Sequence, residues 1–199
     1  MSLKKFSELF GNLDSINSTN NKIKILESYF LSNEPIDNSW AIYLLTGKSN
    51  KRFISGRYLK NLFSQIYGYP QWLIDTCYLK VGDSAEVIAL LLKNKTNSRN
   101  KKLTNISLNE LLSKIIPELS KLNEEEKNLE IKKLWETLPE ENHLIFNKIL
   151  TGTFRVGVSI GLITKSLAKL INIDEEIIAH RLMGNFKPSI DAYEFLINK

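Results

Sequence analysis

Apolar residues recur along this chain at three- and four-residue spacing, and almost every segment reads as an amphipathic helix. Phe6, Leu9, Phe10 and Leu13 carry the first such stripe. Thr19 can cap a second helix bearing Ile23, Leu26, Tyr29 and Phe30, and Asp37 a third with Trp40, Tyr43 and Leu44 inward, ending at Gly47. Ser55 opens a helix that Gly68 stops, and Pro70 suits the first turn of the next, with Leu73, Ile74 and Cys77 on its apolar side. After Gly82 comes an apolar helix from Ala85 to Leu92. Ser107, with Glu110 three residues on, forms a capping-box pattern for another. Two more helices are predicted over 129–138 and 139–150, and three further ones start near Ser159, Asp174 and Pro188. No alternating strand pattern persists, so the fold class expected is all-α with about twelve helices. The Lys- and Asn-rich run at 94–105 is the natural loop, dividing the chain into lobes at roughly 1–93 and 106–199.

Composition adds compartment and charge. With 199 residues, 43% of them apolar, the chain is long enough for a sizeable core. A single cysteine, Cys77, excludes an internal disulfide and fits a reducing cytoplasmic setting. No stretch approaches the roughly 18 uninterrupted apolar residues of a membrane span. The net charge of +5 is modest, but its distribution is not even. No acid lies between Asp37 and Asp75, between Glu86 and Glu110, or between Glu141 and Asp174, and these windows hold 14 of the 27 bases. Such segregation suits an anionic partner.

A repeat links the windows. Leu45-Thr46-Gly47 recurs as Leu150-Thr151-Gly152, each followed by a short basic loop and a serine helix cap, Ser55 or Ser159. Shifted by 104, Leu59, Phe63 and Ile66 fall on Ile163, Leu167 and Leu170. Each unit closes with a glycine and a short polar residue, Gly82-Asp83 or Gly184-Asn185, before one more helix.

The second unit shows what the plan offers chemically. Arg155 supplies a charged fork for phosphate oxygens, and Gly157 removes a Cβ from the turn. Ser159 caps a helix whose first N–H groups, at Ile160, Gly161 and Leu162, face outward with the positive end of the helix dipole. Lys165 and Lys169 lie one turn apart, off the apolar side of that helix. None of these groups reads a base edge, so binding independent of sequence is expected.

These residues carry a resemblance. Phe154-Arg155-Val156-Gly157-Val158-Ser159, followed by a helix and then Ile178 to Gly184, resembles the N-terminal DNA-binding domain of ATP-dependent DNA ligases. Phe6 to Phe10 with Leu13-Asp14, Lys22 to Phe30, Trp40 to Gly47, Lys51-Arg52 and Val81 to Glu86 fit the same family in order. Lys48 departs from it, standing where arginine is common. The resemblance implies an all-helical domain of two pseudo-symmetric lobes, lying across the minor groove of nicked duplex DNA. It implies DNA contacts at Arg155, Gly157 and Ser159, then at Lys51 and Arg52 with Lys48 beside them; Lys165 joins them on charge alone. It further implies a monomer acting with downstream nucleotidyltransferase and OB-fold domains. Those domains use ATP and Mg2+ to seal strands in replication, repair and recombination, in the cytoplasm and, in a prokaryote, at the nucleoid.

This stretch of sequence carries no catalytic centre of its own. It has no Asp-Gly pair, so the Lys-x-Asp-Gly adenylation motif is missing, and the chain reads as the N-terminal piece of a ligase that contains no cofactor. Gly47-Lys48-Ser49 is not a P-loop, because the motif's first glycine would be Ile42 in a helix. His143, His180 and Cys77 have no zinc-site spacing, and His180 reads as an ordinary helix residue. Trp40, Trp72 and Trp135 read as core anchors. The competing reading is a helical interaction scaffold whose basic windows serve an acidic protein.

Overall fold

The computed structural model describes residues 2–47, 52–93, 95, 106–154, 156–184 and 186–198. Among these residues there are twelve helices and no strand. The first six are α1 (Ser2–Ser15), α2 (Thr19–Ser32), α3 (Pro35–Leu45), α4 (Gly56–Tyr67), α5 (Gln71–Val81) and α6 (Ser84–Leu92). The second six are α7 (residues 108–119), α8 (Glu124–Thr137), α9 (His143–Thr151), α10 (Ile160–Ile171), α11 (Glu175–Met183) and α12 (Ile190–Ile197). Within α7, residues Leu111–Ile115 widen into a π-turn just before Pro117, which has no N–H to donate back. None of the described helices is long and apolar enough to cross a membrane.

Local chemistry sets most boundaries. Ser55, Asp83, Ser107 and Ser189 each accept the backbone N–H three residues on, at 2.9–3.0 Å. Asn123 and Glu126 form a reciprocal capping box at the start of α8, which therefore begins earlier than its apolar spacing suggests. Gly68, Gly82 and Gly152 end their helices in the left-handed region, and Asn172 does the same with φ 56°. Two expected caps are corrected. Thr19 is the first residue of α2, with Ser18 at the cap. Asp37 lies inside α3, because Pro35 starts the helix two residues earlier; its buried carboxylate accepts the Asn109 N–H at 2.9 Å, holding the start of α7 instead.

Two compact units interleave along the chain. One compact unit takes residues 50–106 and 113–153; the other takes 2–49, 107–112 and 154–199. The repeat explains this arrangement. It extends beyond the stretch visible in the sequence, so that α1 to α6 match α7 to α12 in order, with α2 and α8 both 14 residues long and starting 105 apart. The first unit joins α4, α5 and α6 of one copy to α8 and α9 of the other. The second joins α10, α11 and α12 to α1, α2 and α3. Within the first unit, α6 packs on α9, α4 and α5. Within the second, α12 packs on the equivalent α3, α10 and α11. The copies have exchanged helices, with α7 divided between the units at residues 112 and 113, and each unit buries a core made from both.

Matched positions are buried alike. Leu59 and Ile163, Phe63 and Leu167, and Ile74 and Ile178 are all fully buried. In the first unit Trp135 is the largest buried side chain, set against Phe63 with ring centres 6.1 Å apart. Its indole N–H donates to Asn147 Oδ1 at 2.8 Å, and Asn147 donates in turn to the Ala85 carbonyl at 3.2 Å. The three tryptophans are not equivalent. Trp40 is half-buried and donates to Asn109 at 2.9 Å, whereas Trp72 is 69% exposed and is no core anchor. Helical spacing puts Trp72 at a permissible position, but its side chain lies on the exposed edge of α5.

Buried tyrosines give the fold a pH limit. Burial, with Glu136 nearby, pushes the Tyr67 phenol up to about 12. Burial pushes Tyr193 up to about 12 as well, against a smaller opposing hydrogen bond with Asn38. Tyr29 is raised further by burial and then by Asp37 and Tyr193. A phenol raised in the folded state stabilises it fully below the unfolded value of 10.0, and that contribution is lost as pH rises through about 12. The thermal midpoint is therefore expected to fall steeply between pH 10 and about 12. Tyrosinate absorbance from these three groups should appear only with loss of helical circular dichroism. Full ionisation near pH 10 with helicity intact would contradict it.

Candidate nucleic-acid interface

In the second unit the turn at 156–159 runs directly into α10. Gly157 has φ +61°, a conformation that favours glycine. The position is doubly constrained, because a Cβ there would lie 3.0 Å from Lys22 Nζ and meet nothing else within 4 Å. The missing side chain thus leaves room for the Lys22 ammonium. Lys22 donates to the carbonyls of Val156 at 3.2 Å and Gly157 at 3.0 Å. Val156 is itself buried, and Phe154 just before it sits 6.3 Å from Phe6 and 6.2 Å from Phe10 between ring centres, so the turn is anchored from both sides.

Ser159 takes up the predicted cap, accepting the Leu162 N–H at 3.3 Å. The first turn of α10 contains no acid, and Ile160 and Gly161 are exposed. Its N-terminus therefore presents the positive end of the helix dipole to solvent. Ile163, Ser166 and Leu167 are buried, Lys169 is exposed, and Lys165 is half-buried on the flank between them. Gly157, Ser159 and Lys165 are thus brought onto one short stretch. Arg155 lies outside the described residues.

In the first unit the matching segment is described from Arg52 onward, and Lys48 and Lys51 lie outside the described residues. Phe53 and Ile54 donate their backbone N–H groups to the Leu150 carbonyl at 3.0 and 2.9 Å. Gly152 lets the Arg52 backbone settle against the end of α9; a Cβ at 152 would be 3.3 Å from Arg52 Cα. Arg52 then lines a cleft of about 380 Å³ with Ser55, Gly56, Arg57, Lys60 and Ser84 among its other walls. The N-termini of α4 and α6 meet there, and a Cβ on Gly56 would come within 2.7 Å of Ser84 Oγ.

The charges in this cleft are already partly committed. Lys60 bonds Asp75 at 2.6 Å and sits 4.4 Å from the centre of the Tyr78 ring. The Lys60 hydrogen bond, outweighing an opposing desolvation effect, holds the Asp75 carboxyl below its usual value. Asp83, the cap of α6, is paired with Lys148 at 2.8 Å. Arg52 and Arg57 remain as exposed cations on the rim. Lys148 was legible only as one base in a charge window; its place among the buried positions of α9, one turn before Leu150-Thr151-Gly152, is the signal that it serves a fixed internal partner. Replacing Lys148 with Met is expected to destabilise the protein by about 2–3 kcal/mol, because Asp83 loses its counter-charge at a mostly buried helix end. Urea denaturation of the variant measures this, and an unchanged midpoint would show that the pair contributes nothing.

Sequence reasoning did not pick out two residues of this region, Lys22 and Arg57. Lys22 is set on the buried stripe of α2 beside Ile23 and Leu26, a position where a lysine needs a reason. His143 is fully buried with Nε2 2.9 Å from the Trp135 carbonyl, and His180 is exposed. No group of three or more metal-ligating side chains occurs among the described residues.

The duplicated six-helix plan, with a capped helix following a basic turn in each copy, defines the class: an all-helical domain of two units with exchanged halves. The sequence model of the DNA ligase N terminus family matches residues 2–168, and the chain belongs to that family, the N-terminal domain of ATP-dependent DNA ligases. The match includes the 154–159 turn and the first nine residues of α10. A comparison with curated proteins gives no significant match. Membership gives the chain a role related to DNA ligation.

Proposed function

We propose that this domain holds nicked duplex DNA by its phosphate backbone, without reading base sequence, for strand sealing by ATP- and Mg2+-dependent ligase domains in the same enzyme. The observation that carries this reading is the N-terminus of α10: capped by Ser159, free of acids in its first turn, exposed, and preceded by a basic turn. A helix end of this kind attracts phosphate through its unpaired N–H groups and its dipole. Arg155, Lys165 and Lys169 add charge to it, and Arg52 and Arg57 supply a second basic rim in the other unit. Lys48 and Lys51 extend that rim in sequence. The domain acts as a monomer in this reading.

Phosphate contacts position a protein on a duplex but carry no base information. Equilibrium titration with several nicked duplexes of unrelated sequence is therefore expected to give the same affinity within about threefold, since a single specific base contact would discriminate by about 1–3 kcal/mol. A strong preference for one sequence would overturn the reading, as would capture of an acidic protein together with no affinity for duplex.

A further inference from the structure

The turn that leads into α10 rests on Lys22. Lys22 is 8% exposed, yet among the described residues no carboxylate lies within ion-pairing distance of it. Its two hydrogen bonds go to neutral carbonyls, at Val156 and Gly157, leaving a third donor of the ammonium. An ammonium removed from water without a counter-charge is costly, and a neutral donor side chain would pin the turn at lower cost. The charge therefore calls for a reason beyond packing. Its position provides one: the ammonium lies directly beneath Gly157, two residues before the cap of α10. Lysine and helix dipole place like-signed charge at one place, and an anion arriving there relieves both.

Resting on the DNA-holding reading above, we propose that Lys22 is a positioning residue of the phosphate site. It fixes the Val156–Gly157 turn and sets a positive charge behind it, and the backbone phosphate of the bound strand supplies the counter-charge. Gly157 then suits the lysine as well as its own backbone angle, since a Cβ at 157 would crowd the ammonium at 3.0 Å.

The test uses the full chain carrying Lys22→Gln. Glutamine keeps N–H donors for the two carbonyls and removes the charge, so a purely structural role is preserved and an electrostatic one is not. The variant is expected to melt close to the wild type, to bind nicked duplex about tenfold more weakly at low salt, and to show a log–log salt dependence shallower by up to about 0.9. Wild-type affinity and slope in the Gln variant would overturn the role of Lys22 while leaving the DNA-holding reading intact. Failure of the wild-type chain to bind duplex would overturn both. Should the Gln variant not fold, Lys22→Met carries the test: a slope shallower by up to about 0.9 supports the proposal, and a wild-type slope overturns it.

Discussion

Truncating Trp135 to alanine is expected to destabilise the protein by about 3–5 kcal/mol, the largest loss from any single core change. Trp135 is fully buried, touches Phe63 and Tyr67, and holds Asn147 through its indole N–H. Alanine leaves a cavity and also strands the Asn147 side-chain oxygen, which adds the desolvation cost of an unmet acceptor. For a chain of this length the melting midpoint should fall by about 10 °C or more. Trp135→Phe separates the two contributions. It fills most of the volume but cannot donate, so a loss of about 1–3 kcal/mol is expected. Thermal and urea denaturation followed by circular dichroism measure both variants. A loss under about 1 kcal/mol for Trp135→Ala would mean that the two exchanged halves of this unit are not joined through this side chain.

Reversing charge at the second-unit turn is expected to have the largest effect on binding. Arg155→Glu removes a fork for phosphate oxygens and puts a carboxylate beside the anion, so affinity for nicked duplex should fall about a hundredfold at low salt, on any base sequence. Arg52→Glu, at the rim of the cleft in the other unit, should weaken binding by a comparable factor. Lys133→Glu is the control. Lys133 is exposed on α8 and engaged with Glu130 at 3.1 Å, away from both turns in sequence, and its reversal should leave binding within about twofold. Equal loss in all three variants would reduce the interface to net charge alone.

Much of the fold was legible because helices carry their own punctuation. Ser55, Ser107 and Ser159 cap where the sequence places them, and Gly68, Gly82 and Gly152 end their helices as left-handed residues. The repeat was visible around Leu45-Thr46-Gly47 and Leu150-Thr151-Gly152 because glycine and serine mark both copies. It faded before these motifs because α1 to α3 and α7 to α9 share only burial: Phe30 stands where Trp135 does, and Tyr29 where Leu134 does. The exchange of halves was not legible at all. Periodicity says which face of α3 is apolar, but not that α12, 145 residues later at its start than Leu45, covers it.

The candidate site divides in the same way. Ser159 and Gly157 announce themselves by type and spacing, and both occupy the places expected. Lys22 does not, since a lysine in the first turns of a helix normally points to solvent; only the tertiary fold brings it under Gly157, 135 residues away. Lys148 and Asp83 likewise read as separate surface charges until α9 packs on α6.

Whether this domain grips a polyanion through phosphates is tested most directly by the salt dependence of binding. Affinity for a nicked duplex, measured across salt concentrations, should give a log–log line with a slope of about −3 or steeper, each neutralised phosphate contributing about −0.9. Arg155→Glu and Arg52→Glu should each make that slope shallower. A slope near zero, unchanged by either substitution, would contradict the account.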